Sequence, residues 1–308
     1  MLGAVWEIRQ KPEVTVQGEG MIRVSGLFVY PVKSARGIRL DRMEVDQSGP
    51  DLDRRFMIVG SDGEFLSQRK EPRLAQMDVE WSEESLRLNA PGMSPMLMPL
   101  REEGRGSERV EVQVWRFRGP AEPVGPKVDD WLSEWLGGPW RLVRAAPEMD
   151  RVANPEWVDG SVPVAFSDGY PLLLTSEASL AGLNAEVQSA GSEPPPLEMA
   201  RFRPNLVVSG CEPFAEDDWS RIRVGSLEID VVKPCDRCGV TTVDPTTGRV
   251  GVEPLPTLGR VRKSASGVLF GQNCVPRGAG WVREGDEVEV VASGRLAQLP
   301  EAWRVSAP

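Results

Sequence analysis

The chain has 308 residues, 40% of them hydrophobic and 27% charged, with 46 acidic side chains against 36 basic ones, a net charge of −10 and no histidine. This is the balance of a globular protein with room for one large domain or two smaller ones, and for a core that needs no disulfide staples. It excludes Ser-His-Asp and Cys-His nucleophile systems and histidine-ligated metals, it opposes a generic nucleic-acid surface, and no apolar run approaches the roughly 18 residues of a membrane span.

The first twenty residues, MLGAVWEIRQKPEVTVQGEG, lack the basic start and apolar centre of a signal peptide. They are expected to be an N-terminal extension (1–20) on a cytoplasmic protein, and four cysteines suit a reducing compartment. From Met21 the chain reads as short strands: MIRVSGLFVYPVKS alternates and breaks at Pro31, and GIRLDRMEVD alternates with one slip. RFMIVGSDGEFLSQ reads as a hairpin turning at Ser61, Asp62 and Gly63. REEGRGSE (101–108) is a solvated loop, and RVEVQVWRF sets Val110, Val112 and Val114 on one face of a half-buried strand.

VDDWLSEWLGG predicts a helix whose apolar face carries Val128, Trp131, Leu132, Trp135 and Leu136, with Asp129 or Asp130 as N-cap and Gly137 as the stop. The proline-bearing stretch around 145–165 is the expected domain junction. SEASLAGLNAEVQ predicts a second helix capped by Ser176, with Leu180, Leu183 and Val187 as its stripe, and SAGSEPPPLEM (189–199) a loop. RIRVGSLEIDVV is a hairpin turning at Gly225-Ser226, and GDEVEVV (285–291) a late strand. Many short strands and few helices predict a β-rich α+β protein built on a barrel or strongly curved sheet.

KPCDRCGVTTVDP (233–245) holds two of the four cysteines, Cys235 and Cys238. A zinc site would need Cys211 and Cys274 to complete four thiolates, and both stand singly in the sequence. A redox dithiol wants a helix after the pair, whereas GVTTVDPTTG is β-branched and then turns. Free cysteines are also common as small buried hydrophobes. The chemistry favours one thiolate serving as the single protein ligand of a metal whose other ligands come from an organic cofactor, with Arg237 favouring the ionised thiol and pairing with anionic groups. Asp244 reads as a turn-starting aspartate before Pro245.

Several motifs in order carry a resemblance. LFVYPVKSARGIRLDRMEVDQSGPDLDRRFMIV resembles the N-terminal β-barrel domain that precedes MOSC domains. RFRPNLVVSGCEPFAEDDWSRIRVGSLEIDVVKPCDRCGVTTVDPTTG, with EPLPTLGRVR and FGQN, resembles the MOSC domain itself. Within that family the chain resembles the mitochondrial amidoxime-reducing components and their bacterial counterparts.

The resemblance implies an N-terminal β-barrel-like domain over 21–150, a MOSC-type curved sheet over 151–297 and a C-terminal tail (298–308). It implies a molybdenum cofactor, a pterin dithiolene bearing a phosphate, with Cys238 as the metal ligand and Cys235 its neighbour. By matching position, Lys33, Ser34 and Arg55 are expected near the pterin phosphate. Gly169, Tyr170, Arg203, Asn205, Asp236 and Arg237 are expected to contact the cofactor elsewhere; Gly169 and Tyr170 differ from the family's residue types there. The implied activity is reduction of small N-hydroxylated compounds (amidoximes, hydroxylamines, N-hydroxylated bases) with electrons from a separate flavoprotein, ferredoxin or haem protein. No attached iron–sulfur domain, membrane anchor, nucleic-acid partner or membrane partner is expected. The alternatives are a cofactor carrier without turnover and a sulfur-transfer role, the latter disfavoured by the lack of a cysteine-desulfurase domain.

Overall fold

The computed structural model describes residues 20–100, 108–191 and 196–305. Most of the N-terminal extension, of the 101–108 loop and of the proline run inside 189–199 therefore lies outside the described residues. The protein is β-rich, with four short α-helices among the described residues. Its main sheet has nine strands. The hydrogen-bonded order is Val288–Ser293, Trp219–Val224, Leu227–Asp236, Gly267–Pro276, Leu172–Ser176, Leu206–Ser209, Arg23–Val29 and Ile38–Leu40, with the short strand Lys263–Ser264 pairing off this path. One pair in it is parallel, Leu172–Ser176 with Leu206–Ser209, and the crossover between them contains helix α2 (Glu177–Ser189).

A four-stranded sheet follows the order Phe56–Val59, Arg141–Ala145, Phe117–Pro123, Val110–Val114. The described residues also form two three-stranded sheets, and in one of them Gly280–Arg283 returns from late in the chain to pair with Arg42–Asp46. The chain leaves the four-stranded sheet at Ala145 and re-enters the main sheet at Leu172. The first strand lies between Leu206–Ser209 and Ile38–Leu40, so a segment from the beginning of the chain is built into the sheet that carries the cysteines.

Local sequence explains most of these elements. The Gly225-Ser226 turn joins antiparallel strands, and Leu227, Ile229 and Val231 alternate into the core. Val112 and Val114 are buried while Glu111 is exposed. Ser176 caps α2 by accepting from the backbone N–H of Ser179 at 3.0 Å, and Leu183 and Val187 are its fully buried stripe residues. The helix α1 (Pro126–Leu136) buries Val128, Trp131, Leu132, Trp135 and Leu136 and ends at Gly137 in the left-handed region.

Three readings need correction. The N-cap of α1 is Gly125, not Asp129 or Asp130, because Pro126 starts the helix one turn earlier; Asp129 instead accepts from the Leu142 N–H at 2.9 Å. The 55–68 hairpin turns where expected, but its second leg is reduced to a bridge between Val59 and Phe65. After Cys238 the chain does make one helical turn, the 3₁₀ segment Gly239–Thr242, before Asp244 accepts from the N–H groups of Thr246 and Thr247 in the expected turn.

Candidate cofactor site

The C-terminal end of the strand Leu227–Asp236, the loops after Tyr30 and Phe166, and the segment Phe202–Asn205 that follows the 3₁₀ turn Met199–Arg201 converge on a cavity of about 480 Å³. Arg54 and Arg203 form its floor and are backed by Tyr30, which is 2% exposed and does not itself line the cavity. The guanidinium groups of Arg54 and Arg203 each lie 4.3 Å from the Tyr30 ring centroid, and its Oη donates to the Pro204 carbonyl at 3.1 Å. Burial, only partly offset by the two arginines, pushes the Tyr30 phenol up to about 12, so it stays a neutral donor.

Asn205 locks this floor. Its amide donates to the Phe28 carbonyl and to Asp53 Oδ1, and its oxygen accepts from the Leu173 N–H and from Arg54. Arg54 also donates to Asp53 at 2.5 Å, and Arg203 donates to the Ala35 carbonyl at 2.5 Å. Burial and the neighbouring Arg54 push Arg203 down to about 10.

Lys33, 5% exposed, donates to the Phe166 carbonyl at 2.9 Å and to Asp168 at 2.5 Å. Burial lowers its pKa and Asp168 resists that. The Asp168 carboxyl reaches into the cavity, where its side chain is 78% accessible, yet the protein wall surrounds it. That enclosure works against ionisation, but the Lys33 charge and hydrogen bond outweigh it and hold the carboxyl well below the usual range. Arg151, itself buried, fixes the loop by donating to the carbonyls of Ala165, Ser167 and Asp168.

The two cysteines are not equivalent. Cys235 lies one residue before the end of the long strand and its Sγ accepts from Arg237 Nη1 at 2.9 Å, while burial raises its pKa. Cys238 is exposed, lines the cavity, and its thiol has no hydrogen bond or ion pair among the described residues. Cys274 is buried in the main-sheet core and Cys211 packs at its margin, and the described residues contain no cluster of three or more potential Cys, Asp, Glu or His ligands. The four thiolates do not assemble into a zinc clamp.

Residues 21–139 match the MOSC N-terminal beta barrel domain and residues 162–289 the MOSC domain. The chain is 32% identical to the Mitochondrial amidoxime-reducing component 1 of Xenopus laevis, over 92% of this chain and 85% of that protein. It is 32% identical to the human component 1 (86% and 82%) and 33% identical to the Mitochondrial amidoxime reducing component 2 of Rattus norvegicus (93% and 88%). The chain belongs to the MOSC-domain family.

In this MOSC protein, Lys33, Ser34, Gly169, Tyr170, Arg203, Asn205, Asp236, Arg237 and Cys238 all line the one cavity. Arg55 does not: its guanidinium donates to Ser48 at 2.8 Å, and Arg54 takes the cavity wall instead. Leu52 and Arg54 both have positive φ, 60° and 48°, and such a turn breaks the alternation that would have assigned the sides. Sequence reasoning missed Tyr30, Arg54 and Asp168; each directly neighbours a residue or motif already singled out, but no spacing marked it.

The residues suit the family's phosphate-bearing pterin. Arg237 Nε and Tyr170 Oη are buried in the wall without a partner among the described residues, donors that a polar ligand or water would satisfy. Arg54, Arg203, Arg237 and Lys33 supply guanidinium forks and an ammonium group for an anion. The volume is in the range of small-ligand sites, and Cys238 offers a sulfur ligand for which nothing among the described residues competes.

Proposed function

We propose that this protein is a molybdenum-cofactor oxidoreductase that reduces small N-hydroxylated compounds, amidoximes foremost, with electrons from a separate donor protein. The observation that carries the reading is the Cys238 thiol, unengaged among the described residues and lining a cavity with a basic wall. The relatives' names, amidoxime-reducing components matched over most of both chains, support the reaction class.

When bound, the cofactor would supply a two-electron metal centre able to take the hydroxyl oxygen from nitrogen, with two protons consumed per water released. The chain's part is to hold and orient. Cys238 would anchor the metal, Arg237 would keep Cys235 engaged beside it, and Lys33, Arg54 and Arg203 would fix the anionic end. Asn205 and Asp53 keep Arg54 in place, and the Ala35 carbonyl holds Arg203. No histidine base is required, which suits a chain without one.

Protein from a cofactor-producing host is expected to carry near-stoichiometric molybdenum, lost in Cys238→Ala and largely kept in Cys235→Ala, and to turn over benzamidoxime with a chemical reductant. Zinc in place of molybdenum, or equal loss in both variants, overturns the assignment. Bound molybdenum without turnover makes the protein a cofactor carrier.

A further inference from the structure

Six basic side chains line the cavity, and five of them are engaged by the protein. Lys33, Arg54, Arg203, Lys233 and Arg237 each donate to a carbonyl, carboxylate or thiol of their own chain. Arg69 differs: it is exposed at the rim and makes no hydrogen bond or ion pair among the described residues, so its whole donor fork is open. An exposed arginine is ordinarily just solvated, but this one is held. Its guanidinium lies 4.8 Å from the ring centroid of Trp115, which also lines the cavity.

Trp115 is itself unusual. It sits at the tip of the hairpin joining Val110–Val114 to Phe117–Pro123 with φ +57°, a conformation that costs a bulky residue about 1–3 kcal/mol. The residue is 40% exposed, and its ring meets Phe65 edge-on at 5.1 Å. Beneath the pair lies the Lys33-Ser34 turn. Lys33 Nζ is 5.0 Å from the Phe65 ring centroid and 5.8 Å from that of Trp115, and Gln68, the residue before Arg69, donates to the Ser34 carbonyl at 2.6 Å. The strained tryptophan thus carries an unengaged guanidinium to the rim above the residues expected at the phosphate end.

We propose that Arg69, held over Trp115, is an anion-binding residue of this cavity that closes on the phosphate-bearing end of its ligand. The inference rests on the cofactor reading above for the ligand's identity, and on the geometry alone for its phosphate chemistry.

The test follows molybdenum content, by metal analysis, of the purified holoprotein and of Arg69→Gln, Arg69→Lys and Trp115→Leu during washing at rising ionic strength. Arg69→Gln is expected to lose molybdenum about tenfold faster than wild type, the loss of one charge-assisted bond, with Arg69→Lys and Trp115→Leu intermediate. The difference should narrow as salt screens this exposed charge. Equal retention by Arg69→Gln and wild type overturns the inference. If wild type itself holds no molybdenum, the cofactor reading fails, and inorganic phosphate becomes the probe, its affinity measured by calorimetry. About tenfold weaker phosphate binding by Arg69→Gln then sustains the inference, and unchanged binding overturns it.

Discussion

Arg237 donates to the Sγ of Cys235 at 2.9 Å, and this one bond makes a C-x-x-C pair asymmetric. The thiol that receives it is occupied within the wall; the thiol three residues on is open to the cavity.

Alkylation of cofactor-free protein should report that asymmetry. Cys238 is expected to react with iodoacetamide first, followed at a distance by Cys235, whose pKa is raised by burial. Cys211 and Cys274, pushed up to about 11 and about 12 by burial, should lag by ~100-fold or more at neutral pH, since the thiolate is the reactive form. Peptide mapping by mass spectrometry reads the order, and equal rates for Cys235 and Cys238 would contradict the asymmetry.

The Lys33–Asp168 pair predicts an acid dependence. Asp168 has a depressed pKa in the folded state, so below about pH 4 the unfolded chain binds the extra proton. The stability it contributes is present above that value and is lost as pH falls towards the folded one. Thermal unfolding midpoints should therefore fall less steeply below about pH 4 in Asp168→Asn than in wild type. At neutral pH the variant should lose no more than about 1 kcal/mol, because the carboxylate is 78% accessible from the cavity. Parallel curves would remove Asp168 from the acid response.

Phe202 connects the core to the site. Its ring is fully buried 4.0 Å from that of Phe270, and its carbonyl accepts from Arg237 Nη2 at 2.6 Å. Phe202→Ala should cost about 3–5 kcal/mol in urea unfolding, and it should also accelerate alkylation of Cys235 as Arg237 loosens. Loss of stability with Cys235 as protected as before would separate the two roles.

Gly37 leaves room for Tyr30 behind the cavity floor. A Cβ there would stand 2.4 Å from the Tyr30 ring. Gly37→Ala is expected to destabilise the protein by about 1–3 kcal/mol through overpacking and to reduce ligand retention by displacing Arg54 and Arg203. Tyr30→Phe keeps the ring and should cost only about 1 kcal/mol, the Pro204 hydrogen bond.

Much of this was legible in the chain. The valine alternation at 110–114, the Ser176 cap and the Gly137 stop act over a few residues, and local pattern captured them. The cavity residues were legible because motifs far apart in sequence each carried a recognisable fragment. What escaped depends on tertiary context. Arg54 and Arg55 are adjacent, of one type, and sorted only by a turn with two left-handed residues. Tyr30 gains its role from two arginines stacked on it, one of them from far along the chain. Asp168 matters because Lys33 is buried opposite it, a pairing no spacing encodes.

The placement of the first strand has a consequence for biosynthesis. Asn205 donates to the Phe28 carbonyl across 177 residues of sequence. At ribosomal rates of about 5–20 residues per second, the early strand waits roughly 10–35 s before its partner has been made. During that interval the edge of Arg23–Val29 that later pairs with Leu206–Ser209 has no native neighbour. The floor of the cavity, which needs Tyr30 and Asn205 together, therefore belongs to the last stage of folding, and a nascent chain released early would carry the first half of the site without the means to close it.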